Sequence, residues 1–163
     1  MKPSEVDESR FRTFIQDKSF LIVDINPRVL EFVLSTLESM GVQKKALHAS
    51  DDFEKARDQI QSLKPQIVLT DYDLDKRCGL GLLDTQRKFS TDSRNSFFIL
   101  VTGNTSQIAV ARAAEEEVDG YVLKPFTGSI LREALLKAAA SRFEPSEYER
   151  MIERAKDHIS RLN

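Results

Sequence analysis

The sequence predicts an α/β fold in which helices cover both faces of a doubly wound, five-stranded parallel sheet. Apolar runs that are too short for helices, such as Phe20 to Val23, recur along the chain. Each run is followed by a helical stretch with an apolar stripe, and the pair repeats five times between residues 19 and 141. Continuous apolar strands are typical of parallel sheets buried on both faces. Parallel strands also require crossovers, which the helical stretches supply.

Capping and turn residues mark where the predicted helices begin and end. Asn26 followed by Pro27 is typical of a helix start, and Gly41 lies at the expected stop. Ser50 or Asp51 is expected to cap the next helix. The predicted strands are 20–23, 46–49, 67–69, 97–101 and 121–123, and the later helices begin at Gly79, near residue 105 and at Thr127. Residues 72–78 are predicted to form a polar loop.

Two extensions flank the predicted domain, which covers residues 19–142. Residues 1–18 form an N-terminal helical or irregular extension, in which Phe11, Phe14 and Ile15 suit one or two helical turns packed on the domain. Residues 143–163 form a C-terminal amphipathic helix. Its apolar positions step by four and three, as in a short coiled coil: Tyr148, Ile152, Ala155, Ile159 and Leu162. This helix could dimerise, link to an output domain or dock on the domain itself.

Composition excludes several classes of function. The chain has 163 residues, of which 40% are hydrophobic, and its formal net charge of −2 does not favour nucleic acid or anionic lipid as partners. Its single Cys excludes an internal disulfide. The longest apolar run, residues 97–101, is far shorter than the roughly 20 residues of a membrane-spanning helix. The start of the sequence lacks the apolar core of a signal peptide, so we expect a reducing cytoplasm.

Four polar residues follow the predicted strands at the points where ligands bind in open α/β sheets. Asp24 ends the first strand, Asp71 the third, Thr102 the fourth and Lys124 the fifth. Paired carboxylates bind a hard cation such as Mg²⁺, and a carboxylate can also be a nucleophile that forms an aspartyl-phosphate. Phosphoryl transfer requires positioning and positive charge, which Mg²⁺ and a lysine would supply. The set therefore predicts phosphoryl chemistry at this edge of the sheet.

The same segments resemble a known family. Four segments show the resemblance: Phe20 to Asp24, Ile67 to Asp71 with Gly79 eight residues later, Leu100 to Gly103, and Asp119 to Phe126. Together they are similar to the CheY-like receiver domain of response regulators in two-component signalling. The resemblance runs from about residue 20 to residue 142 and implies the flavodoxin-like strand order 2-1-3-4-5.

The resemblance implies a role for each matching position. Asp71 would be the phospho-acceptor, with Thr102 and Lys124 contacting the phosphoryl group. Asp24, Asp71 and Asp73 would hold Mg²⁺, the last through its backbone carbonyl. Tyr121 would be the switch aromatic whose rotamer follows phosphorylation together with Thr102. The Lys124–Pro125 bond matches one that is usually cis in the family.

One departure concerns the metal site. The first strand should end in two adjacent acids, but Ile25 follows Asp24. The loss of a carboxylate ligand should lower the affinity for Mg²⁺. One hypothesis is that the Asp73 side chain turns inward and replaces the missing carboxylate at the metal site. The alternative is that Asp73 is simply exposed in a polar loop.

The resemblance implies a phosphorylation-operated signalling switch. A histidine kinase or phosphotransfer protein would phosphorylate Asp71, and a downstream protein or output domain would read the surface of 105–116, 120–123 and 128–141. Enzymatic activity would be at most Mg²⁺-dependent self-phosphorylation and autodephosphorylation. One alternative is a pseudo-receiver that acts as a protein-interaction module without phosphate. A phosphatase-type hydrolase fits poorly, because no cap domain encloses a substrate. The chain could form a homodimer, and we expect it to contact neither nucleic acid nor a membrane.

Overall fold

The computed structural model describes residues 3–92, 95–143 and 147–162 and confirms the predicted sheet. Its five parallel strands are β1 (Phe20–Val23), β2 (Leu47–Ser50), β3 (Ile67–Thr70), β6 (Phe97–Thr102) and β7 (Gly120–Leu123). They lie in the order β2-β1-β3-β6-β7, which is 2-1-3-4-5 when only these strands are counted. In the chain between β3 and β6, β4 (Asp73–Leu74) and β5 (Arg77–Cys78) form a separate two-stranded antiparallel hairpin.

Seven helices are described. They are α1 (Pro3–Gln16), α2 (Pro27–Ser39), α3 (Phe53–Leu63), α4 (Gly81–Phe89), α5 (Gln107–Glu115), α6 (Gly128–Phe143) and α7 (Glu147–Leu162), with a 3-10 turn at Lys44–Ala46. The Asn26 side chain caps α2 by accepting from the Arg28 N–H, as the sequence predicts. In the described part of the chain, each helix is too short or too polar to span a bilayer.

Helices pack on both faces of the sheet because successive strand residues point to opposite sides. One apolar cluster joins alternate strand residues such as Phe20, Ile22 and Ile99 to α1, α2 and α6. The other joins Leu21 and Phe98 to α3, α4 and α5. The central strands β1, β3 and β6 are buried along their whole length, which explains why they are continuous apolar runs in the sequence. The edge strands β2 and β7 are only partly buried.

The N-terminal extension is a longer helix than predicted and is part of the first cluster. α1 spans 14 residues rather than one or two turns. Phe11, Phe14 and Ile15 are all buried, and the Phe14 ring meets the Phe97 ring edge-on at 5.1 Å. At the helix surface, Arg132 of α6 pairs with Glu8 and lies over the Phe11 ring. These contacts attach α1 to α6 and to the start of β6.

Several boundaries differ from the sequence predictions. Residues 72–78 were expected to be a loop, but the left-handed backbone of Asp75 (φ 57°) allows the β4–β5 hairpin to form. The following helix begins at Gly81 rather than Gly79, because Gly79 belongs to the turn and donates to the Tyr72 carbonyl at 2.7 Å. Asp52, one residue later than predicted, caps α3 by accepting from the Glu54 N–H.

The C-terminal helix is amphipathic, as its spacing predicts. Ile159 and Leu162 are exposed, and Met151 beside the predicted stripe is exposed too. The side chain of Tyr148, the first residue of the predicted stripe, lies outside the described residues. Ile152 is half-buried, so the end of the apolar stripe, rather than its whole length, faces solvent.

Replacement of Phe14 by Ala should lower the free energy of unfolding by about 3 kcal/mol, because it removes a buried ring from the cluster of α1, α6 and β6. Denaturant unfolding of the full chain would measure it. The adjacent exposed variant Thr13→Ala is the matched control and should change stability by less than about 0.5 kcal/mol. Equal stability of the two variants would show that α1 does not belong to the folded core.

Candidate functional site

The sheet brings Asp24, Asp71 and Lys124 together at one edge. Each residue comes directly after a strand and continues its hydrogen-bond ladder by one step. The Asp24 N–H donates to the Ser50 carbonyl at 3.1 Å, and the Asp71 N–H donates to the Val23 carbonyl at 3.0 Å. These main-chain bonds place the side chains at the carboxyl edge of the sheet, where the sequence analysis predicts the site.

Lys124 lies between the two carboxylates. Its Nζ is 2.5 Å from Asp24 Oδ2 and 2.9 Å from Asp71 Oδ2. The other carboxylate oxygens accept main-chain N–H groups: Asp24 Oδ1 from Asn26 at 2.8 Å, and Asp71 Oδ1 from Asp73 at 3.2 Å. The Asp24 side chain is 3% exposed and that of Asp71 12%, so Asp71 is the more accessible of the two. The arrangement holds both carboxylates in fixed orientations.

Opposing effects act on the Lys124 ammonium. Burial is the largest single effect and favours the neutral amine, which lowers the pKa. The hydrogen bonds and negative charges of Asp24 and Asp71 act in the opposite direction and together outweigh burial. The pKa of Lys124 is therefore raised above that of an ordinary lysine, and the group is a cation at neutral pH.

Gly79 is required by the close approach of two loops. A Cβ atom at this position would lie 1.9 Å from the Asp71 carbonyl oxygen, which no side chain can tolerate. The glycine thus lets the turn before α4 pack against the main chain of Asp71. At Gly103, by contrast, an added Cβ would meet nothing within 4 Å. Only the first of these glycines is required by sterics.

Thr102 and Asp73 lie at the same edge and are linked through Asn104. Thr102 is fully buried, and its Oγ1 accepts from the Asn104 N–H at 3.2 Å. The Asp73 side chain is exposed, and its Oδ2 accepts from Asn104 Nδ2 at 3.1 Å. The structure therefore places Asp73 at the exposed rim, as the second of the two interpretations expects, rather than turned inward.

Tyr121 is held against the loop that follows Thr102. Its hydroxyl donates to the main-chain carbonyl of Asn104. Burial raises the pKa of the Tyr121 hydroxyl, and the negative charges of Tyr72, Asp73 and Asp71 raise it further. Tyr121, which the resemblance implies to be the switch aromatic, is thus close enough to Asp71 and Asp73 to sense their charges.

The donor atoms at this edge fit a magnesium ion. Two carboxylates converge there, and each oxygen retains a lone pair beyond the hydrogen bond it accepts. Mg²⁺ commonly takes one or two carboxylates and completes its shell with water and phosphate oxygens. Within the described residues, no three His, Cys, Asp or Glu side chains are gathered as a metal group. Asp24 and Asp71 are the carboxylates that would hold the ion, and a ligand role for Asp73 stays a prediction.

Sequence reasoning missed two side chains near the site. Asn104 joins Thr102, Asp73 and Tyr121, but an Asn before a helix is usually only a turn residue. Arg112 of α5 donates to the Tyr72 hydroxyl at 3.4 Å. In the sequence, only the position of Tyr72 next to Asp71 indicates that Tyr72 could take part in such a contact. The Lys124–Pro125 bond is cis, as the resemblance implies.

Comparison with known proteins identifies the family. The family model described as response regulator receiver domain matches residues 20–136, which is more than half of the chain. The chemotaxis protein CheY of Pseudomonas aeruginosa is 29% identical over 119 residues, covering 72% of this chain and 92% of that protein. CheY1 of Helicobacter pylori is 27% identical over 119 residues, covering 71% of this chain and 91% of that protein.

Solved structures share the fold. A CheY-like receiver domain protein of Methanospirillum hungatei is 22% identical with a TM-score of 0.67, covering 77% of this chain and 95% of that one. A response regulator of Burkholderia pseudomallei, solved with a phosphorylated aspartic acid, a calcium ion and citrate, is 21% identical with a TM-score of 0.65, covering 90% and 84%. The chain belongs to the response regulator receiver domain family and is CheY-like.

Simultaneous replacement of Asp24 and Asp71 by Asn should move the pKa of Lys124 from above to below the ordinary lysine value, because burial then acts unopposed. The ¹⁵Nζ chemical shift of Lys124 during a pH titration would measure it. In the unsubstituted chain the raised pKa stabilises the fold fully below about pH 10, and this contribution is lost as the pH rises through the folded-state value.

The exposed acid Asp51 provides the control for this titration. Asp51→Asn removes an exposed carboxylate that pairs with Lys55 rather than with Lys124, and it should leave the Lys124 resonance titrating as in the unsubstituted chain. A lysine pKa that does not fall in the Asp24→Asn, Asp71→Asn variant would mean that the two carboxylates do not hold the ammonium.

Proposed function

We propose that this chain is a phosphorylation-operated switch in which Asp71 accepts a phosphoryl group from a phosphohistidine of a histidine kinase or phosphotransfer protein. The observation that carries the proposal is the partly accessible Asp71 carboxylate fixed 2.9 Å from the Lys124 ammonium. A carboxylate held beside a cation at the rim of the sheet is positioned to attack phosphorus while the lysine offsets the charge that results.

The transfer balances without an additional reactant. A carboxylate oxygen of Asp71 forms a bond to phosphorus, and the phosphorus–nitrogen bond of the donor breaks. The electron pair of that bond returns to the imidazole nitrogen, which takes up a proton. Lys124 would then pair with a phosphoryl oxygen, and Thr102 would donate its hydroxyl to another. Bound Mg²⁺ would neutralise developing charge on the phosphoryl oxygens.

Added charge at Asp71 would act on the surface formed by α5, β7 and α6. A phosphoryl group carries a charge of about −1.5 to −2 at neutral pH. Tyr121 of β7 belongs to this surface and bonds to the loop that follows Thr102. Exposed apolar residues are also present on the surface: Ile108, Val110, Leu123 and Ile130. A downstream protein or output domain that binds one arrangement of this surface more tightly would read the signal.

The pseudo-receiver alternative rests on Ile25. This side chain is 52% exposed at the rim, so the position that lacks an acid is open to solvent rather than filled by packing. Asp24, Asp71 and Lys124 nevertheless keep a fixed charged geometry, which an interaction module without phosphate would not require. The site therefore favours phosphoryl acceptance with a weakened metal affinity.

Self-association through α7 stays a prediction. Its exposed apolar residues, Ile159 and Leu162, are consistent with a helical partner outside the domain. The boundaries 1–18, 19–142 and 143–163 remain our proposed division of the chain, as does its place in the cytoplasm.

Incubation of the full chain with acetyl phosphate and Mg²⁺ should add one phosphoryl group to Asp71, measured by intact mass and peptide mapping. Asp71→Asn should abolish the modification. Asp75→Asn removes a neighbouring acid of the same loop, at a left-handed position that Asn tolerates, and should retain it. Phosphate on another residue, or equal labelling of Asp71→Asn, would contradict the proposal.

The affinity for Mg²⁺ should rise by roughly tenfold or more in Ile25→Asp, because a carboxylate near the protein surface attracts a cation by several kcal/mol. Calorimetric titration of the full chain with MgCl₂ would measure the change. Asp73→Asn in the same titration tests the metal role of Asp73, and a lower affinity is expected if its carboxylate reaches the ion. An unchanged affinity in Ile25→Asp would show that this rim is not the metal site.

A further inference from the structure

Asn104 makes four hydrogen bonds to four different segments. Its N–H donates to Thr102 Oγ1 at 3.2 Å, and its Oδ1 accepts from the Ser106 N–H at 3.0 Å. Its Nδ2 donates to Asp73 Oδ2 at 3.1 Å, and its main-chain carbonyl accepts from the Tyr121 hydroxyl. The end of β6, the start of α5, the β4–β5 hairpin and β7 therefore meet at one residue.

We propose that Asn104 is a positioning residue that ties the acceptor segment to the switch aromatic: its bond to Asp73 holds the loop so that Tyr121 is anchored before any phosphoryl group arrives. The inference rests on the proposed role of Tyr121 as the switch. It adds that part of the output surface is already set in the unphosphorylated chain, and that Asp73 is the contact through which the acceptor segment acts.

The chemistry of the side chain explains why Asn is suited to this position. Asn supplies an acceptor for Ser106 and a donor for Asp73 at the same time. Asp would keep the acceptor but would place a second carboxylate against Asp73. Ala would remove both bonds and leave only the main-chain groups. Because the Asp73 N–H also donates to Asp71 Oδ1 at 3.2 Å, a short path of hydrogen bonds leads from the acceptor carboxylate to the Tyr121 hydroxyl.

A second branch of hydrogen bonds leads from Asn104 to helix α5. Asn104 Oδ1 fixes the Ser106 main chain, and Ser106 Oγ in turn accepts from the Ala109 N–H at 3.2 Å and caps α5. A second contact, from Arg112 of α5 to the Tyr72 hydroxyl, links the same helix to the residue after Asp71. The position of α5 is thus connected to the acceptor segment on both sides, with Asn104 as the nearer link to Tyr121.

The test measures the Tyr121 side chain in the unphosphorylated full chain. Three-bond NMR couplings from the Tyr121 ring carbon Cγ to its main-chain nitrogen and carbonyl carbon report the χ1 rotamer populations. The unsubstituted chain should show one dominant rotamer. In Asn104→Asp the ratio of rotamers should fall about fivefold, the equivalent of one ordinary hydrogen bond. Asp73→Ala should have the same effect.

An exchange of the two residues separates this link from a general effect on the loop. The double variant Asp73→Asn, Asn104→Asp can form the same bond in the reverse direction and should restore the dominant rotamer. Asn95→Ala is the matched control, since it removes a similar exposed Asn–Asp bond of 2.8 Å to Asp92. An unchanged rotamer ratio in Asn104→Asp, or a loss that the exchange does not restore, would overturn the proposal.

The result is independent of the phosphorylation assay. Because no phosphoryl donor is present, restoration by the exchanged pair supports the Asn104 link even if Asp71 fails to accept phosphate. If Asp71 is phosphorylated but the rotamer ratio of Tyr121 is the same in all variants, the acceptor function stands and the Asn104 link is refuted. Thermal unfolding of each variant, recorded in parallel, verifies that the compared chains are folded.

Discussion

The ion cluster of Lys124 with Asp24 and Asp71 is the interaction on which the site depends. Two carboxylates that lie close together and are largely removed from water repel each other unless a cation lies between them. The ammonium between them attracts both carboxylates, and main-chain N–H groups orient the remaining oxygens. The cluster therefore holds the Asp71 carboxylate in a fixed position beside the Lys124 ammonium.

The fold creates this cluster at little local cost. The three charged residues belong to segments that are far apart in sequence, yet each is the first residue after a strand of the sheet. The apolar strands are fixed by packing on both faces, and their ladders extend far enough to hold the charged residues at the edge. Stability is thus concentrated in the sheet, while the charged site lies where the strands pass into the short loops beyond it.

Much of this arrangement could be predicted from the sequence because it depends on buried strands. The packed α1 residues Phe11, Phe14 and Ile15 and the meeting of Asp24, Asp71 and Lys124 follow from apolar runs and the residues that end them. The strand order follows from the resemblance to receiver domains. The hairpin at β4 and β5 and the bonds of Asn104 could not, because they depend on loop backbone angles and on contacts between loops. Propensity describes single residues and contains no information about which loops face each other.

The most direct test of the account is a pair of ¹H–¹⁵N NMR spectra of the full chain, recorded with Mg²⁺ before and after addition of beryllofluoride, a mimic of the phosphoryl group. The account predicts that the resonances of Asp71, Thr102, Lys124 and Tyr121 shift together, and that those of α1 at the opposite edge do not. Spectra that remain unchanged, or that change mainly in α1, would contradict it.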